Sequence, residues 1–206
     1  MNYTEIKQLA LGYADREDVE VVNNMDNFIR IVESRINQRL KVQKMSVRSL
    51  MLTVQGQEYY GLPPDFNGMR DIEYTMQDSQ ERVTLEYINP KQANDYNNKY
   101  KDVRAYTIIA DQLQIIAAPQ NGVIEMVYYK KLPPLSGASN VNWVSDEYPE
   151  LYTYGILVEI SSFVKDVAAV QMWEARFQGV LDSMNYDDAL TRWSGTTLQV
   201  RTDNGI

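Results

Sequence analysis

Carboxylates are the side chains in this sequence best placed to do chemistry. Asp146-Glu147, Asp187-Asp188 and the run Asp15, Glu17, Asp18 and Glu20 each set acids close together. Two carboxylates can share general acid/base work or hold a hard cation. Adjacent residues on a helix diverge by about 100°, however, so neither pair converges on one ion. The Asp15–Glu20 run lacks the glycine and the distal glutamate of a calcium loop. All three groups are therefore expected to be solvated surface or helix-end charge. Histidine and cysteine are absent, which removes imidazole bases, thiolate nucleophiles, disulfides and Cys/His zinc sites. Lys130-Lys131 is expected to end a strand, and no Ser-x-x-Lys opens a helix. The ten glycines are scattered and make no phosphate-binding loop. No catalytic residue, metal ligand or cofactor site is expected.

Fifteen tyrosines are the next resource. Tyr59, Tyr60, Tyr74, Tyr87, Tyr106, Tyr128 and Tyr129 fall among predicted strands. Aromatics on a sheet can stack bases or sugars, but tyrosine also suits strands and protein interfaces. Few basic residues accompany these tyrosines, which favours strand and interface roles. The net charge of −8 and the pI near 4.7 oppose tight binding of nucleic-acid phosphates. An acidic surface does suit a pore through which DNA slides without being held.

Helices at both ends must frame these residues. Asn2 with Glu5 forms a capping box for a helix to about Tyr13, on which Ile6, Leu9, Ala10 and Tyr13 recur at helical spacing. Residues 14–20 read as an acidic connection. A helix over 24–42, capped by Asn23 or Asn24, carries Met25, Phe28, Ile29, Val32, Ile36 and Leu40 on one stripe, with Arg30, Glu33 and Arg35 off it. Strands are predicted at 45–54, 69–76, 82–88, 103–109, 112–117 and 122–130, with a short aromatic segment at 58–63 and a short helix within 89–100. The last two strands read as an antiparallel hairpin. Residues 132–146 form a Pro/Ser/Asn-rich connector. Helices follow at 148–165 and 167–190, with Asp166 breaking the first or capping the second. Val170, Trp173, Phe177, Val180, Leu181 and Met184 stripe the second helix. Residues 193–206 have no helical pattern and read as a free tail.

Clustered strands between helices predict an α+β fold: a helical framework from the N- and C-terminal helices, with an inserted antiparallel β lobe. The expected division is 1–44 N-terminal helices, 45–131 β lobe, 132–192 C-terminal helical pair and 193–206 tail. No apolar run approaches a membrane span and no secretion signal opens the chain, so folding in a cytoplasm is expected.

Four phrases carry a resemblance. They are VVNNMDNFIRIVESRINQRLKV at 21–42, QEYYGLPPDFNGMRDIEY at 57–74, YYKKLPPLS at 128–136 and EYPELYTYGILVEISSFVKDVAAVQMWEARFQGVLDSMN at 147–185. In this order the chain, from about residue 3 to 192, resembles the head-to-tail adaptor proteins of tailed bacteriophages, especially short-tailed ones. The resemblance implies a non-enzymatic virion subunit at the head–tail junction. It implies a ring, usually dodecameric, below the portal protein, continuing the channel for double-stranded DNA and docking tail or nozzle proteins. It also implies a C-terminal extension that reaches the portal, which makes Trp193, Leu198, Val200, Arg201 and Ile206 the expected portal contacts. A ring needs heterologous faces between copies. The 148–190 helical pair and the 24–42 helix are expected to supply them, through Tyr154, Trp173, Arg176 and Phe177. The alternatives are another tail or neck subunit of a phage, a Tyr-rich sheet that binds sugar or nucleic acid, and a carboxylate–metal enzyme.

Overall fold

The structure, a computed structural model, describes residues 1–78, 81–93, 95–96, 102–117 and 119–193. The chain divides into two compact units, one of Met1–Val42 with Leu132–Ile206 and one of Gln43–Lys131. The architecture is α+β, with N- and C-terminal helices on either side of the strands in the chain.

The first unit is helical. Helix α1 (Tyr3–Ala14) opens on the expected capping box, with Asn2 Oδ1 accepting from the Glu5 amide and Glu5 Oε2 accepting from the Asn2 amide, each at 2.9 Å. It buries Ile6 and Ala10, while Leu9 and Tyr13 stay exposed. Helix α2 (Val19–Arg39) begins five residues before the expected start. Val21 is buried, so core packing draws the first turn in, and Asp18 and Glu20 sit favourably at the positive end of the helix dipole. Asn24 is therefore not a cap but an interior residue, whose side-chain amide donates to the Glu20 carbonyl at 2.9 Å. The connection between these helices is only Asp15–Asp18, entered through a left-handed Asp15.

After the β unit, the chain returns as a buried connector. The Leu132 amide donates to Asn37 Oδ1 at 2.7 Å and the Leu135 amide to Glu33 Oε1 at 2.5 Å. The connector ends earlier than expected, because Asn142 and Ser145 form a capping box for a short helix, α3 (Trp143–Glu147). Helix α4 (Pro149–Phe163) follows with proline in its first turn. Its buried residues run from Leu151 to Ser161 and cover most of its circumference, so α1, α2 and the last helix all pack on it. Gly155 permits the closest approach: a Cβ there would lie 2.7 and 2.9 Å from the two Val32 methyls and 3.1 Å from the Phe177 ring. Asp166 caps the last helix, α5 (Val167–Trp193), by accepting from the Ala169 amide at 3.0 Å. Trp173, Phe177, Leu181 and Met184 form its buried stripe, and Val170 and Val180 are half-buried beside it.

The second unit holds two four-stranded sheets. One has the order β1 (Ser46–Thr53), β8 (Gly122–Lys130), β3 (Phe66–Met76), β4 (Arg82–Thr84). The other has the order β2 (Tyr59–Gly61), β7 (Gln112–Ile116), β6 (Ala105–Ile109), β5 (Glu86–Tyr87). Their facing side chains share one core, built on Tyr60, Ile72, Tyr74, Leu113, Ile124 and Met126. Two expectations fail. Strands β7 and β8 do not form a hairpin: β7 pairs with β6 and β2, whereas β8 lies between β1 and β3. The predicted strand over 82–88 is broken at buried Leu85, where the chain leaves β3 and joins the other sheet. There β5 pairs with β6 in parallel, so that sheet is mixed, while the sheet of β1, β8, β3 and β4 is antiparallel throughout.

Candidate interaction surfaces

Helices α1, α4 and α5 bring an aromatic and cationic cluster to the surface of the helical unit. Tyr154 on α4 stacks on Trp173 of α5 with ring centroids 5.8 Å apart and planes 24° apart. Tyr13 of α1 meets the same indole edge-on at 6.1 Å. The Arg176 guanidinium lies 4.9 Å from the Trp173 centroid and 5.9 Å from that of Tyr154. A cation over these rings is held by their quadrupoles and leaves its outer face open to a partner. Trp173 is buried and Tyr154 half-buried, whereas Arg176 is exposed and Tyr13 is 58% exposed. Three of the four expected interface residues therefore meet. The fourth, Phe177, is fully buried beside Gly155 under the Arg35 guanidinium, and serves the subunit's own core. Tyr13 was on the predicted α1 stripe, but nothing in the sequence links it to Trp173.

Two polar networks hold these helices. Arg35 reaches Glu159 at 3.3 Å and also pairs with Glu174, while Arg39 lies 3.8 Å from Glu174 and bonds Gln178. Helices α2, α4 and α5 are thereby cross-linked on one side. The second network is buried. Glu33, read from sequence as off the apolar stripe, is inside. Its Oε1 accepts from the Leu135 amide and from the Tyr152 hydroxyl at 3.0 Å. Asn142 Nδ2 donates to Tyr152 Oη at 2.7 Å and to the Pro133 carbonyl at 2.9 Å. Burial pushes the Glu33 carboxyl above its usual range, against the opposing pull of those two hydrogen bonds. Burial and the Glu33 charge push the Tyr152 hydroxyl up as well. The network fastens the connector to α2 and α4.

The tyrosines of the β unit divide. Tyr60, Tyr74, Tyr106 and Tyr128 are buried. Three of their hydroxyls are satisfied inside: Tyr60 by Gln57 O at 2.9 Å, Tyr74 by Gln120 O at 3.1 Å and Tyr128 by Asp65 at 2.9 Å. The exposed Tyr59 and Tyr87 stand at opposite edges of one sheet, so they form no stacking platform together. Among the acids, Asp188 pairs with Arg192 at 2.6 Å one helical turn away. Among the described residues no three acidic side chains are grouped to hold a metal ion, and no helix is long and apolar enough to cross a membrane. Leu198, Val200, Arg201 and Ile206 lie outside the described residues, and Trp193 is described only as the last residue of α5.

No curated protein matches this chain. The family model of the SU10 adaptor protein matches residues 1–201, which takes in both units, the aromatic cluster and most of the tail. The chain thus belongs to the SU10 adaptor protein family, and is a structural adaptor protein of a bacteriophage.

Proposed function

We propose that this protein joins a phage head to its tail as a ring of copies, dodecameric in the simplest case, seated beneath the portal. The ring continues the DNA channel, and tail or nozzle proteins dock on its far side. The family match across residues 1–201 carries this reading, because it makes both units parts of one adaptor and not a fusion of unrelated modules. The acidic chain, with net charge −8, suits a channel that lets phosphates pass. The tail from Trp193 onward is assigned to the portal, and the finished protein to the virion.

Contacts between copies are assigned to the cluster of Tyr13, Tyr154, Trp173 and Arg176, whose exposed members face outward from a rigid three-helix base. The test adds purified protein to portal rings of the same phage and looks by electron microscopy for a new ring at the portal's narrow end. Added density there is the expected result. A portal that stays bare while binding other virion proteins would move this chain to another place in the neck or tail. Arg176→Glu should fold normally, since the guanidinium is exposed, and should abolish the ring. Rings formed by that variant would remove the cluster from the interface while leaving the portal reading intact.

A further inference from the structure

Sheet edges in native proteins are kept short, bulged, charged or covered, because free backbone N–H and C=O groups recruit other strands. In the β unit, three of the four sheet edges are short: β2 and β4 have three residues each and β5 has two. Strand β1 is the exception. It is eight residues long and, among the described residues, pairs in its sheet with β8 alone. It contains no proline, and its register with β8 runs from Ser46↔Tyr129 to Thr53↔Gly122 without a bulge. Strand β3, on the other side of β8, carries two register shifts.

Its side chains are equally unprotected. Leu50 is 61% exposed, Leu52 76% and Val54, just past the strand, 55%. The single charge on β1, Arg48, does not guard the edge. It is turned across the sheet onto Glu125, with Nη2 at 2.7 Å from Oε2, and Arg82 closes the same group through Glu73 at 3.5 Å and Glu125 at 3.9 Å. Leu50, Leu52 and Val54 therefore leave an apolar strip along the edge, bordered by the Arg48, Glu125 and Arg82 charges, with Glu125 directly opposite Leu50.

The chain itself offers a cover for it. Outside the described elements, residues 194–206 contain Thr196-Thr197-Leu198-Gln199-Val200-Arg201-Thr202. Apolar and polar residues alternate there at the two-residue period of a strand with one face packed. The segment has no proline, no glycine and one charge, and its seven residues fit within the eight of β1. Laid along the edge, Leu198 and Val200 would join Leu50 and Leu52 on the outward face, while Gln199 and Arg201 point to the other.

We propose that residues 196–202 of one copy add as a strand to the free edge of β1 in a second copy. Strand addition supplies affinity through main-chain hydrogen bonds and specificity through alternate side chains. It ties neighbouring copies together through their tails, in addition to the helical cluster. The neighbouring copy then replaces the portal as the partner of Leu198 and Val200, and only Trp193 and Ile206 at the two ends of the tail remain for the portal. This assignment rests on the reading that copies assemble in a ring.

The absence of native cysteine makes the test direct. Single-cysteine chains, Leu50→Cys or Leu52→Cys on one side and Leu198→Cys, Gln199→Cys or Val200→Cys on the other, are mixed pairwise. They are assembled on portal rings, oxidised mildly and run without reductant. Disulfides need cross-strand neighbours on the same face. A heterodimer is expected with Leu198→Cys or Val200→Cys, and its loss with Gln199→Cys. Rings that form without that heterodimer would overturn the strand addition alone. A dominant Leu52→Cys homodimer would show the edge paired with another β1, and would overturn it too. Absence of rings from unmodified protein would remove the ring reading and this assignment together.

Discussion

Gly155 offers the sharpest test of how the helical unit is packed. It sits on the buried helix α4, facing Val32 of α2 and Phe177 of α5, both fully buried. In Gly155→Ala the new methyl would meet the Val32 methyls at 2.7 and 2.9 Å and the Phe177 ring at 3.1 Å. Carbon atoms pack best about 3.5–4.0 Å apart, so all three contacts are compressed. Valine in a helix is held to one χ1 rotamer, and both of its methyls face the same point, so rotation relieves neither. Overpacking of this kind costs about 1–3 kcal/mol, and two contacts under 3.0 Å place this site in the upper part of that range, about 2–3 kcal/mol, against a gain of about 1 kcal/mol from replacing glycine by alanine in a helix. The expected net loss is about 1–2 kcal/mol, which for a chain of this size lowers the melting temperature by about 2–4 °C per kcal/mol.

Tryptophan fluorescence during urea unfolding reads this loss where it occurs, because Trp143, Trp173 and Trp193 all belong to the helical unit. Val32→Ala removes both opposing methyls and by itself should cost about 2 kcal/mol in lost burial and cavity. In the double variant the methyl at 155 enters the space left at 32. The pair should then be more stable than the sum of the single losses by about 1 kcal/mol or more. An unchanged or raised stability for Gly155→Ala, or strict additivity in the cycle, would refute the close approach of α2 and α4.

Two further perturbations probe the buried network. Glu33 has a folded-state pKa above its unfolded value, so stability is greatest below the unfolded pKa and falls as pH rises through the folded one. Glu33→Gln keeps an oxygen for the Leu135 amide and the Tyr152 hydroxyl but removes the charge; it should flatten that fall and be the more stable protein at neutral pH, measured by urea midpoints from pH 4 to 8. Asn142→Ala loses the α3 cap and both Nδ2 hydrogen bonds and should cost about 2–3 kcal/mol. Asn142→Ser, which restores the cap alone, should recover about 1 kcal/mol of that.

What the sequence revealed follows the range of the interactions. The α1 capping box, the Trp173–Met184 stripe and the Asp166 cap are local patterns, and each is where spacing put it. The early start of α2 was hidden because Val21 stands amid acids, and only its burial decides the first turn. Strand partners were hidden for a related reason. The short link between β7 and β8 invites a hairpin, yet β7 buries four consecutive residues, Leu113 to Ile116. Such a strand belongs inside a sheet, and β6 and β2 flank it. A two-residue period gives a strand its faces, but not its neighbours.

The interaction surfaces show the same limit from the side of function. Tyr154, Trp173 and Arg176 could be singled out from the sequence because aromatic and cationic residues on amphipathic helices are the usual material of interfaces, and the structure brings the three side by side. Phe177 has the same type and spacing and is core, because Gly155 opens a pocket for it from another helix. Glu33 is the converse: a charged residue that spacing assigns to solvent, drawn inside by the Leu135 amide and the Tyr152 hydroxyl more than a hundred residues away. Both reversals arise from a partner distant in sequence. Assembly into the proposed ring would add one more layer of this kind. Exposed Tyr13 on the helical unit and, separately, exposed Leu50 and Leu52 on the β unit are the side chains that neighbouring copies would then cover.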